Sequence, residues 1–183
     1  MSKPAVPSIW FVLGIFVGLG PIIMGPAFLF VFSSLGGKVH GLAHAIQIVT
    51  VLPIMWWSLG LVGLPMGSWQ LTFAPTIFAA ILFWVTSKLL FRPLVERVKN
   101  AFTRLLINAC IGAAVSPIAF AGISFIFTGS FEAPLPQIEA QWHPPISGNV
   151  FSLIIVSTIG LFLGIVIGII CERQMKRQLA SDN

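Results

Sequence analysis

Long apolar runs separated by short polar segments make up most of the chain. A helix that crosses the hydrocarbon core of a bilayer needs about 20 mostly apolar residues, because each residue adds about 1.5 Å. None of the runs alternates between apolar and polar residues as the strands of a membrane β-barrel do. The pattern predicts one all-α transmembrane domain, a bundle of about five helices with spans at residues 9–32, 43–63, 73–91, 105–127 and 150–171.

The composition favours a location in the membrane. Of the 183 residues, 57% are hydrophobic and 8% are charged, whereas about 25% of the residues of a soluble domain are charged. Ten Lys and Arg and five Asp and Glu residues are too few to cover a soluble protein of this size. The composition argues against a soluble enzyme, a disordered chain and a nucleic-acid-binding module. We expect a multi-pass protein of a prokaryotic inner membrane, surrounded by lipid.

The positions of the cations predict an orientation, because Lys and Arg are enriched in cytoplasmic loops. They cluster between the third and fourth runs and again after the fifth. If both clusters are cytoplasmic and all five runs cross, nine of the ten cations lie inside and only Lys3 lies outside. The N-terminus is then outside, the C-terminus inside, and residues 128–149 form an outer loop. The alternative is four spans plus a re-entrant first segment, with both termini inside.

Residues 92–104, between the third and fourth runs, predict a short amphipathic helix on the cytoplasmic surface. Leu94, Val98 and Phe102 recur at helical spacing, with Arg and Lys residues around them. Anionic lipid headgroups attract such a segment by about 1 kcal/mol per cation. Docking of a soluble partner is the alternative interpretation.

The fifth run carries the clearest helix-packing signal. Gly160, Gly164 and Gly168 are spaced by four residues, so they share one face of a helix. Small residues allow helices to approach closely in lipid, which is as apolar as the side chains themselves. This face packs either against another helix of the same chain, with the small residues of 109–117 as the candidate partner, or against a second copy.

Few polar groups within the runs are candidates for chemistry. No Asp or Glu lies inside a run, which argues against mechanisms built on buried carboxylates. His40 and His44 are spaced by four, a geometry that can share a metal ion on one helix face, but two ligands do not complete a site. The side-chain amides of Gln47 and Asn108 find no hydrogen-bond partners in hydrocarbon, so we expect both to face the interior of the bundle. There they are candidates to line a polar pathway.

Position along the runs also predicts the surroundings of Trp84, Cys110 and Cys171. Trp84 lies deep in the third run, away from the membrane interfaces that indole rings favour, and is expected to pack against another helix. Cys110 and Cys171 fall in the predicted cytoplasmic halves of their helices. Because that compartment is reducing, we expect buried, inert thiols rather than a disulfide.

Two functions from different classes remain. The first is a non-catalytic membrane component that packs as an oligomer or with a partner protein, in agreement with the glycine face. The second is a small transporter or channel for a neutral or apolar solute, with a path lined by Gln47 and Asn108. Because no nucleophile, base, cofactor motif or metal set comes together in the sequence, we expect neither an enzyme nor a bound cofactor.

Overall fold

Five α-helices account for nearly all of the residues that the structure describes. The structure is a computed structural model, and it describes residues 7–63, 69–128 and 148–181. All five helices are long and apolar enough to cross a membrane, which confirms the predicted bundle of membrane helices. The helices are α1 (Ile9–Ser34), α2 (Gly41–Gly63), α3 (Trp69–Arg97), α4 (Ala101–Thr128) and α5 (Gly148–Ser181).

α1 is one continuous helix despite the glycines and prolines in its sequence. Ser8 caps its start, since the Ser8 hydroxyl accepts a hydrogen bond from the backbone N–H of Phe11 at 3.3 Å. Pro21 and Pro26 both lie inside the helix. Its 26 residues extend for about 39 Å, enough to cross the hydrocarbon core. A continuous helix of this length favours a spanning first segment over the re-entrant segment of the alternative topology.

The core lies between α1, α3, α4 and α5. Phe16, Phe83 and Leu163 are fully buried there, and the rings of Phe16 and Phe83 are 5.6 Å apart. Val115 and Ala119 of α4 complete the same cluster. Between 28% and 39% of each of these four spans is buried within the chain, but only 6% of the span in α2. α2 is therefore a peripheral helix, attached mainly to α1.

α1 and α5 run in opposite directions. Near the end of α1, the ring of Phe28 meets that of Phe151, at the start of α5, with 5.8 Å between centroids. In the middle of α1, a Cβ built on Gly20 would lie 4.0 Å from Leu163, farther along α5. Five alternating crossings would instead make α1 and α5 parallel. The contacts place the start of α1 beside the second half of α5, so an even number of the five helices crosses the membrane if α1 and α5 both do.

The predicted amphipathic helix over residues 92–104 is divided between two long helices. α3 continues through Pro93 to Arg97, and α4 begins at Ala101. Asn100 precedes α4 and its Oδ1 accepts a hydrogen bond from the backbone N–H of Phe102 at 2.9 Å, as an N-cap residue does. This cap starts α4 earlier than the apolar pattern indicates. The predicted outer loop lies almost wholly outside the described residues.

Candidate functional site

The glycines of α5 face α4 of the same chain. A Cβ built on Gly160 would overlap the carbonyl oxygen of Gly112, and one built on Gly164 would overlap the carbonyl oxygen of Asn108. A Cβ on Gly168 would lie 3.4 Å from the Cβ of Asn108. The two backbones are thus in direct contact, as small residues permit. Because α4 occupies this face, it is not a surface through which two folded copies can associate.

The surface of α4 that meets these glycines repeats every four residues, so its members stack on successive turns. All of them are buried, and the hydroxyl of Ser116 lies directly against Gly160. Small and hydrogen-bonding residues are suited to helix contacts in lipid. We call this contact the α4–α5 seam, formed by Arg104, Asn108, Gly112 and Ser116 on α4 and by Gly160, Gly164, Gly168 and Glu172 on α5.

An ion pair closes one end of the seam. Arg104 donates to both carboxylate oxygens of Glu172, from Nε at 2.5 Å and from Nη2 at 2.8 Å. Its Nη1 donates to the carbonyl oxygens of Val98 at 2.7 Å and Lys99 at 3.2 Å. Such a bidentate pair is among the stronger side-chain hydrogen bonds. One guanidinium group therefore joins α4 and α5 to the chain that leaves α3.

Sequence reasoning missed this pair. It placed Arg104 on a surface connector and assigned no role to Glu172, which directly follows the last apolar run. Arg104 lies one helical turn before Asn108 and therefore on the same helix face. This spacing was the feature of the sequence that could have placed Arg104 beside α5. The side chains are only 8% and 14% exposed, so both charges are largely shielded from solvent.

Gln47 and Asn108 lie in different parts of the molecule. Asn108 is 4% exposed within the seam, whereas Gln47 lies on the exposed side of α2. The expectation that Gln47 faces the interior is wrong, because α2 packs on α1 through its opposite side. There, a Cβ built on Gly25 of α1 would lie 2.7 Å from the Cα of Val49. The two amides do not line a common path in this chain.

His40 and His44 do not share a helix face. α2 begins at Gly41, so His40 precedes the helix. Gly41 has a φ of +82°, a left-handed conformation that interrupts helical spacing between the two imidazoles. Both histidines are exposed, and no group of three His, Cys, Asp or Glu side chains suited to a metal ion occurs within 7–63, 69–128 and 148–181.

Trp84 packs as predicted, against the start of α1. Its Nε1 donates to the carbonyl oxygen of Pro7 at 3.0 Å, and Lys88 Nζ lies 4.8 Å from the centre of its ring. The two cysteines are not paired. Cys171 is buried as expected, but the expectation is wrong for Cys110, which is exposed on α4.

One side of α2 remains uncovered along the length of the helix. The exposed positions on this side are separated alternately by three and four residues, the spacing of a coiled-coil seam. α2 contains no charged residue, so the surface is apolar with a few neutral polar groups. We call this surface the outer face of α2, formed by His44, Gln47, Val51, Ile54, Ser58 and Leu61.

Comparison with protein-family models, with curated proteins and with solved structures gave no match. The candidate sites are therefore defined by the packing and the exposed surfaces of this chain. They are the α4–α5 seam, which is closed, and the outer face of α2, which is open.

Proposed function

We propose that this polytopic membrane protein is a non-catalytic component of an assembly in a prokaryotic cytoplasmic membrane, and that it joins the assembly through the outer face of α2. The observation that carries the proposal is the Gln47 side chain on this face. It lies within an apolar helix of which only 6% of the span is buried. The described residues give this amide no hydrogen-bond partner, which supports a partner helix on this face.

The position of Gln47 supports a partner on this face. Gln47 is about 9 Å along the helix from Gly41, and no hydrogen bond joins its amide to any described residue. Transfer of an unpaired amide from water to hydrocarbon costs about 4–8 kcal/mol. Thr50 has no such need, because its hydroxyl donates to the carbonyl oxygen of Ile46 at 2.7 Å. A helix that offers hydrogen bonds to Gln47 would remove this cost.

The other buried polar groups support a structural role. Arg104 is hydrogen-bonded both to Glu172 and to the backbone just after α3. Asn108 and Ser116 lie where α4 and α5 approach most closely. A seam closed by backbone contact is suited to stability rather than to passage of a solute. The separation of Gln47 from Asn108 also favours assembly over the alternative of a transporter or channel.

Site-specific photo-crosslinking in native membranes tests the proposal. A photoreactive residue at Ile54, 56% exposed on the outer face of α2, should give one discrete crosslinked protein product. The matched control is Ile118 of α4, the same residue type at 61% exposure, which should give lipid adducts only. Absence of a product from position 54, or identical products from both positions, would overturn the proposal.

A further inference from the structure

We infer that the end of the bundle at the Arg104–Glu172 ion pair is a binding surface for the phosphate groups of anionic phospholipids. The exposed cations around this pair come from two segments that are distant in sequence, the chain that leaves α3 and the last turns of α5. No residue of this surface belongs to α2, so the inference goes beyond the proposed function. We call the surface the basic rim, formed by Arg97, Lys99, Arg173, Lys176 and Arg177.

The buried guanidinium of Arg104 brings the two halves of the basic rim together. It donates to the carbonyl oxygen of Lys99 at 3.2 Å and to both carboxylate oxygens of Glu172. Lys99 belongs to the rim, and Arg173 of the rim directly follows Glu172 on α5. Both halves therefore lie beside one buried group, although 68 residues separate Arg104 from Glu172 along the chain.

The basic rim carries an excess of positive charge. Glu172 does not offset it, because Arg104 already neutralises this carboxylate and both side chains are largely buried. Within the described ranges the other acid is Glu96, one carboxylate beside five exposed cations. The exposed Lys38 follows α1 at the opposite end of the bundle, since the end of α1 lies beside the start of α5. The cations of the rim are thus gathered at one end, where they attract anions.

Exposed apolar side chains next to the basic rim favour lipid as the source of the anion. Phe102, three residues after Lys99, is 70% exposed, and Leu106 on the next turn of α4 is 53% exposed. On α5, Ile169 is 39% exposed one turn before Arg173. Such side chains contact the acyl chains of a bilayer, so the cations that follow them lie at the depth of the headgroups. Arg and Lys both donate charged hydrogen bonds to phosphate oxygens there.

The lipid selectivity of the full-length chain in phosphatidylcholine bilayers tests the inference. Electron paramagnetic resonance of spin-labelled lipids compares the association constant of phosphatidylglycerol with that of phosphatidylcholine. The original chain should favour phosphatidylglycerol by about fivefold or more, since a single cation at the membrane surface contributes about this factor. The selectivity should fall towards equal affinity in about 1 M salt, where the Debye length is only about 3 Å.

Two double variants test the halves of the basic rim separately, and each keeps the cations of the other half, which preserves the charge asymmetry that orients the chain. Arg97→Gln with Lys99→Gln, and Arg173→Gln with Lys176→Gln, should each lower the selectivity at least about twofold, because two of the attracting charges are lost. The matched control is Lys38→Gln, an exposed cation at the opposite end, which should leave the selectivity unchanged. Arg97→Lys with Arg173→Lys should also retain it, because the charge is kept.

Three results would overturn the inference. The first is equal affinity of the original chain for the two lipids, as expected if the basic rim binds a soluble partner instead. The second is a loss of selectivity in Lys38→Gln as large as in the rim variants. The third is a loss confined to one half of the rim, which would show that the two segments do not form a common surface. None of these results bears on the proposed role of the outer face of α2.

Discussion

Replacing Gly112 by alanine should weaken the α4–α5 seam, whereas the same change at Gly122 should not. A Cβ at Gly112 would overlap the carbonyl oxygen of Gly160 and lie 3.2 Å from the Cα of Gly164. Gly122 is on the same helix, and apart from the adjoining backbone of that helix no heavy atom lies within 4 Å of the position that its Cβ would take. The two variants make an identical chemical change and differ in the space available for it.

The expected change in the free energy of unfolding follows from two opposing effects. Alanine favours a helix over glycine by about 0.8–1.0 kcal/mol, so Gly122→Ala should raise the free energy of unfolding by up to about 1 kcal/mol. An extra carbon in a packed interior costs about 1–3 kcal/mol. The obstacle at Gly112 is backbone, which cannot rotate away, so the upper part of this range, about 2–3 kcal/mol, applies. The expected net loss for Gly112→Ala is about 1–2 kcal/mol.

Unfolding in mixed micelles with a rising fraction of SDS, followed by tryptophan fluorescence, measures both variants. Gly112→Ala should unfold at a lower SDS fraction than Gly122→Ala, by the equivalent of about 2–3 kcal/mol. Equal stability of the two would refute the close contact between α4 and α5. Gly164→Leu should likewise destabilise the single chain at every protein concentration, because Gly164 faces α4 rather than another copy.

Three other perturbations test separate contacts. Glu172→Gln should lower the free energy of unfolding by about 1.5–3 kcal/mol, because it weakens the charged hydrogen bonds from Arg104. The control is Arg173→Gln at the exposed neighbouring position, which should change the free energy of unfolding by less than about 0.5 kcal/mol. Trp84→Phe should cost about 1 kcal/mol through its lost hydrogen bond to the start of α1, and a similar cost for Trp10→Phe, at a position 79% exposed, would contradict this reasoning. Reporters fused to the first and last residues should lie on the same side of the membrane, as the antiparallel α1 and α5 require; reporters on opposite sides would disprove that arrangement.

Features that depend on local pattern were predicted from the sequence. The five helices follow from the length of the apolar runs, and the contact face of α5 follows from the spacing of Gly160, Gly164 and Gly168. The small residues of α4 were also the right candidates for the facing helix. The predicted helix ends were less accurate. α4 starts at a cap in which the Asn100 side chain accepts from a backbone N–H, and α3 continues through Pro93, and neither feature follows from hydropathy.

The sequence by itself determined that this protein is a helical membrane bundle and that α5 has a face for close packing, because hydropathy and residue size act locally along a helix. Only the tertiary structure decided what meets that face, which way α1 runs beside α5, and that Gln47 points outward. Most of the surface of a helix in a bilayer is apolar whether it contacts lipid or protein, so hydropathy does not distinguish the two kinds of side. The pairing of Arg104 with Glu172, distant in sequence, likewise required the two helices to be placed side by side.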